Sequence, residues 1–168
     1  EMPFEQMLSY QGINPRPEDH EAYWNRALAQ MHALGTDCEL KPAAFSAPGV
    51  DCYDLWFTGV WDSRVYAKLL LPRGEGPFPA LLRFHGYSGS SGDWMRYLGY
   101  AKSGFVVAAM DCRGQGGRSE DRGGVKGNTL YGQMIRGLDE EDPDRLLTRS
   151  LFLDTAQLAR IVMALPQV

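Results

Sequence analysis

The sequence predicts an α/β fold in which a mostly parallel sheet with flanking helices follows an initial antiparallel hairpin. Residues 80–84 are a short apolar run and 105–110 a continuous one, the pattern of strands buried on both faces by crossover helices. Between them, a helix over 92–103 places Trp94, Leu98 and Ala101 on one face. Strand, helix and strand at this spacing form a βαβ unit, for which a right-handed crossover is expected. Upstream, 53–58 and 64–71 are two strand-like segments joined by a turn at 59–63, as in a hairpin.

The elements follow in order. Gly12, Pro15 and Pro17 punctuate a turn-rich arm. A helix is expected over 18–34. Pro17 suits its first turn, and Glu18, Asp19 and Glu21 sit where the helix dipole favours negative charge. Tyr23, Trp24, Ala27, Leu28, Met31 and Leu34 form one apolar stripe, a packing surface, and Gly35 ends it. In 53–58, Asp54 interrupts an otherwise apolar run. Segment 64–71 alternates at first, through Val65, Ala67 and Leu69, and then becomes continuously apolar. Residues 72–79 read as a Gly- and Pro-rich loop, and Gly104 stops the 92–103 helix. A long excursion over 111–132 contains seven glycines. A last helix over 148–165 carries Leu151, Leu158, Ile161, Val162 and Leu165, and Pro166 closes it.

A chain of 168 residues is long enough for one core and short for two domains. Seventeen Lys and Arg against 21 Asp and Glu give a net charge of −4, the wrong sign for a nucleic-acid partner. No stretch approaches the roughly 20 apolar residues of a membrane helix. The first residues lack a basic segment leading into an apolar run, so no signal peptide is expected. Cys38, Cys52 and Cys112 have no metal-type spacing and cannot all pair; reduced thiols in a cytoplasm are expected. Glu140, Glu141 and Asp142 read as a solvated loop, and neither a metal nor a cofactor is expected.

The most informative element is Phe84-His85-Gly86-Tyr87-Ser88-Gly89, at the end of a buried strand. In open α/β sheets, sites form outside the carboxyl ends of the strands. A His-Gly turn there can turn backbone N–H groups toward a cavity, as the first oxyanion donor of acyl-transfer enzymes requires; that donor would be the Tyr87 N–H. His85 is expected to shape this loop by local hydrogen bonds, not to act as a base, and His20 and His32 are expected at the surface. The second element, Met110-Asp111-Cys112-Arg113-Gly114-Gln115-Gly116-Gly117, also follows a buried strand. It fits neither a phosphate loop nor a dinucleotide turn, and Arg113 is expected to pair with a carboxylate. A Gly-x-Ser-x-Gly nucleophile elbow occurs nowhere in the sequence.

These segments together are specific. With Tyr10-Gln11-Gly12-Ile13-Asn14-Pro15, Tyr23-Trp24, Asp54-Leu55-Trp56-Phe57-Thr58-Gly59, Gly92-Asp93-Trp94, Lys126-Gly127-Asn128-Thr129, Ile135-Arg136-Gly137-Leu138 and Phe152-Leu153-Asp154-Thr155-Ala156-Gln157-Leu158, the chain resembles carbohydrate esterase family 7, the acetyl xylan esterases and cephalosporin-C deacetylases of the α/β-hydrolase fold. The resemblance implies a serine carboxylesterase that removes acetyl groups from acetylated xylo-oligosaccharides and cephalosporin C, with a Ser-His-Asp triad and no cofactor. It implies an oxyanion role for the Tyr87 N–H, substrate contacts at Gly86, Tyr87 and Trp94, and a structural signature at Arg113, Gly114 and Gln115. It also implies a homo-oligomer. The family's Gly-x-Ser-Gln-Gly and His-Glu motifs would lie beyond Val168. The 168 residues are therefore expected to form the N-terminal portion of a single α/β-hydrolase domain, with an arm and helix in 1–50 and the first part of the sheet in 51–168. The piece alone would be inactive and would need a C-terminal complementary segment; the alternative is a non-catalytic half-domain acting as a binding or assembly segment. Lacking its next strand, the sheet is expected to leave an open apolar edge at 105–110.

Overall fold

The computed structural model describes residues 2–124 and 135–168. The Lys126-Gly127-Asn128-Thr129 segment and the rest of the glycine-rich excursion from 125 onward lie outside the described residues.

Among the described residues, five strands form one mixed sheet: β1 (Cys38–Pro42), β2 (Val50–Thr58), β3 (Arg64–Pro72), β4 (Ala80–Phe84) and β5 (Val106–Met110). Their spatial order is β1-β2-β3-β5-β4. The helices are α1 (Phe4–Ser9), α2 (His20–His32), α3 (Met95–Lys102) and α4 (Leu147–Met163). β2 and β3 pair antiparallel from Val50↔Pro72 to Thr58↔Arg64, the hairpin expected from their apolar patterning. β4 and β5 pair parallel, with α3 between them in sequence, as a βαβ unit requires. β5 also pairs antiparallel with β3, which joins the hairpin to the parallel part.

Alternation along the strands sends successive side chains to opposite faces. Leu55, Phe57, Ala67, Leu69, Ala108 and Met110 meet Leu158, Ile161 and Val162 of α4 on one face. Cys52, Leu70, Val107 and Ala109 meet Tyr97 and Ala101 of α3 on the other. Each fully buried Leu or Ile side chain contributes about 2 kcal/mol of transfer free energy. α2 lies against α4 through Ala27, Met31 and Leu153. Gly35 follows α2 at φ 72°, a left-handed stop that a side chain would strain.

Three features depart from the sequence reading. β1 and α1 were not expected: β1 is an edge strand exposed along nearly all its length, so its residues carry no burial pattern, and α1 is six residues with none buried. The open edge is not at 105–110. β5 is held on both sides and buried throughout, whereas β4, paired only with β5 among the described residues, has exposed or half-buried residues from end to end. The crossover set β5 between β3 and β4, a choice that no local pattern encodes.

Candidate active site

β4 delivers Phe84 to the carboxyl edge of the sheet, and residues 85–91 then cross above the end of β5. Three anchors pin this loop. His85 Nε2 accepts the Cys112 N–H at 2.9 Å while Nδ1 lies 2.7 Å from Gly86 O, so the partners assign the proton to Nδ1. Both imidazole nitrogens are thereby engaged, and His85 shapes the loop. Gly116 N–H donates to Gly89 O at 3.0 Å. A Cβ on Gly116 would stand 2.9 Å from Ser88 O, so only glycine lets the two backbones approach. The third anchor is Asp111, 2% exposed. Its Oδ1 accepts the Ser91 N–H at 2.5 Å and its Oδ2 the Arg118 N–H at 2.8 Å. Gly117 has no space for a side chain, because a Cβ would overlap Asp111 Cγ.

Lys68 reaches the same loop from the middle of β3. Its Nζ donates to Ser91 Oγ at 2.7 Å and lies 5.3 Å from the ring centroids of both Tyr66 and Trp94. Burial lowers the Lys68 pKa, against the upward pull of Asp111 and Asp54. Ser91 is 2% exposed, so this pair is not an accessible nucleophile and base. Nearby, the Tyr66 hydroxyl donates to Asp54 Oδ1 at 2.6 Å, and burial together with that bond pushes the phenol pKa up. Asp54, which breaks the apolar run of β2, serves Tyr66 and Arg118 on this face.

The carboxylate that Arg113 pairs with is Asp154 on α4. Nε and Nη2 each lie 2.6 Å from one carboxylate oxygen, and neither residue has exposed surface. Nη1 donates to Val60 O at 3.1 Å and to Ser63 Oγ at 3.2 Å. Burial pushes the Asp154 carboxyl up to about 6, while the guanidinium pulls it down. Gly59 makes room for the pair: a Cβ there would overlap Asp154 Oδ1. This clamp ties the loop after β5 to α4 and to the β2–β3 turn.

Phe84, His85, Gly86 and Tyr87 separate two hollows on either side of the exposed β4 edge. One, of about 480 Å³, opens on the α3 side between Arg83, Arg96 and Tyr100. The other, of about 450 Å³, opens on the α4 side and is lined by Cys112, Gln115, Leu151 and Phe152. Gly86 and Tyr87 thus face cavity space, and the Tyr87 side chain is about half exposed. Gln115 joins them, and its Oε1 is buried with no hydrogen-bond partner among the described residues. Gly114 turns the chain at φ 68° between Arg113 and Gln115. Trp94 is not brought to either hollow. Its ring stacks on Phe45 at 5.8 Å and packs into the α3-side core. His20 and His32 sit on α2, half-buried and exposed respectively. Burial pushes the Cys112 thiol up to about 11, with Asp154 and Asp111 adding to it. The three cysteines are unpaired. No helix among the described residues is long and apolar enough to cross a membrane.

Lys68 and Asp111 carry no role in the sequence reading, yet they hold the loop. A signal existed for Lys68: a lone cation inside the apolar run 65–71 must find a buried partner. For Asp111 the signal was its place at the end of a wholly buried strand.

Comparison with known proteins adds a second line. The acetyl xylan esterase (AXE1) family profile matches residues 1–168. Among solved structures, acetyl xylan esterase 1 from Thermoanaerobacterium sp. JW/SL YS485 is 55% identical, with a TM-score of 0.93 over 100% of this chain and 53% of its own. An acetyl xylan esterase from Paenibacillus sp. R4 is 26% identical, with a TM-score of 0.87 over 99% of this chain and 54% of its own. The chain spans about half the length of the solved structures it matches.

Proposed function

The chain belongs to the acetyl xylan esterase family, and from that premise we propose that it is the oxyanion-loop portion of a serine carboxylesterase whose nucleophile, base and acid follow Val168. The observation that carries this reading is the pinned 85–91 loop, which stands beside an apolar hollow and a parallel strand edge that is unpaired among the described residues. Gln167 O accepts the Phe78 N–H at 2.7 Å, so the end of the chain lies at the foot of β4. A strand continuing from Val168 would run parallel to β4 and emerge next to Tyr87. A strand-to-helix elbow there would fill the hollow and offer a donor to the orphaned Gln115 Oε1.

In the proposed reaction, the serine Oγ attacks an acetyl carbonyl while the histidine takes its proton. The tetrahedral oxyanion is held by the Tyr87 N–H and by the N–H that follows the serine. Collapse expels the sugar or cephem hydroxyl with that proton, leaving acetyl-serine. Water, deprotonated by the same histidine, releases acetate and restores the serine. The proposed substrates are acetylated xylo-oligosaccharides and cephalosporin C. The reading includes a homo-oligomer, supported by the exposed Phe4, Met7, Leu8 and Ile13 of the N-terminal arm. It also includes a cytoplasmic location, supported by the unpaired thiols.

The test is hydrolysis of a chromogenic acetyl ester by the 168-residue polypeptide and by the longer gene product. Turnover is expected from the longer form alone, abolished by a serine-directed inhibitor. A longer product that folds but shows no serine-dependent turnover overturns the reading and leaves a binding or assembly segment.

A further inference from the structure

We propose that Lys68 is a positioning residue for the oxyanion loop, acting on the Tyr87 N–H through Ser91. The proposal rests on the esterase reading above and extends it to a residue that touches neither substrate nor nucleophile.

Ser91 closes the loop that His85 opens, and each of its polar groups is held by a different element. Its Oγ takes the Lys68 Nζ from β3, its N–H binds Asp111 at the end of β5, and its carbonyl accepts the Tyr97 hydroxyl from α3. Lys68 and Asp111 are 8% and 2% exposed. Asp111 has no ion pair within 4.0 Å among the described residues, although a carboxylate buried this deeply needs a counter-charge. Lys68 supplies it across Ser91: cation, hydroxyl, backbone N–H and carboxylate form one line through the serine. The rings of Tyr66 and Trp94 confine the ammonium, so its reach to Ser91 is set by packing. Removing Lys68 therefore releases Ser91 Oγ and strips Asp111 of its balancing charge together. The His85 and Gly89 anchors stay as they are, while the Ser91 bonds to Asp111 and Tyr97 lose the support of the ammonium. A displacement of about 1 Å at an oriented donor costs about 100-fold in rate, and oxyanion donors act only where the charge develops.

The experiment uses the full-length polypeptide, with Lys68→Met and Ser91→Ala. Burst titration counts functional serines, and kcat is taken per titrated site. We expect kcat to fall about 30- to 100-fold in Lys68→Met and about 10-fold in Ser91→Ala, with KM for the acetyl ester moving less than about 3-fold. Binding of a trifluoromethyl ketone, whose hemiketal oxyanion occupies the same donors, should weaken in step with kcat. A role confined to stability would lower the titratable fraction and leave kcat per site and inhibitor affinity unchanged; that result overturns the proposal. Ser91→Ala keeps the buried ammonium and decides the matter if Lys68→Met does not fold. Amide exchange at Gly89 and Ser91, expected at least about 10-fold faster in the variants, reads the loop's restraint directly, with no dependence on turnover. If the parent protein shows no serine-dependent turnover, the esterase reading falls, while unchanged exchange would still overturn the role of Lys68.

Discussion

Replacing Arg113 with Met in the full-length polypeptide probes how the loop after β5 is locked to α4. The guanidinium has no exposed surface and donates to both oxygens of Asp154, to Val60 O and to Ser63 Oγ. Met keeps most of the volume and none of the donors. It leaves the Asp154 carboxyl buried without a counter-charge, where burial alone raises its pKa. Breaking one side of such a pair costs about 3–5 kcal/mol. Asp154→Leu should cost a similar amount, toward the low end, because Val60 and Ser63 still accept from the stranded guanidinium. In the double variant both charges are gone, and the remaining loss is that of two acceptors, about 2 kcal/mol. Additive singles would total about 6–10 kcal/mol, so the expected coupling is about 4 kcal/mol or more. Reversible urea unfolding, followed by tryptophan fluorescence and circular dichroism, measures each stability from midpoint and slope. Either single variant losing less than about 1 kcal/mol, or a double variant matching the sum within about 0.5 kcal/mol, would refute the reasoning.

Two further outcomes follow from the same site. Gly117→Ala forces a Cβ into Asp111 Cγ and should cost about 1–3 kcal/mol and lower kcat; unchanged thermal unfolding and turnover would show that the loop has room. The Cys112 thiol, pushed up to about 11, is about one part in a thousand thiolate at pH 8, so iodoacetamide should spare it in native protein and label it in urea. Mass spectrometry locates the label, and rapid native alkylation at Cys112 would contradict the burial argument.

The legible parts of the fold are those with strong local periodicity. The apolar run that became β5, the apolar stripe of α4 and the β2–β3 hairpin follow from which residues avoid water, whereas the run at 80–84 became a strand, β4, whose residues stay exposed or half-buried. β1 carries no such signal because four of its five residues are exposed, and α1 buries nothing. The position of the His85 loop was readable because a glycine-rich turn follows directly where an apolar run ends. Its restraint was not readable: Lys68, Ser91 and Asp111 are far apart in sequence, and nothing in the neighbourhood of any one of them names the others.

The sequence by itself determined the α/β class, the family, the position of the 85–91 loop and the need for a carboxylate beside Arg113. Each of these is a consequence of local composition or of a motif in a fixed order. Tertiary structure alone decided that β5 lies between β3 and β4, so that the open edge falls at β4, and that Asp154 is the partner of Arg113. It also decided that a lysine from β3 faces an aspartate at the end of β5 across one serine. The physical reason is common to all three. Strand order and ion pairing are settled by which distant groups the crossover brings into a shared dry volume, and that volume exists only once the sheet and its helices have packed.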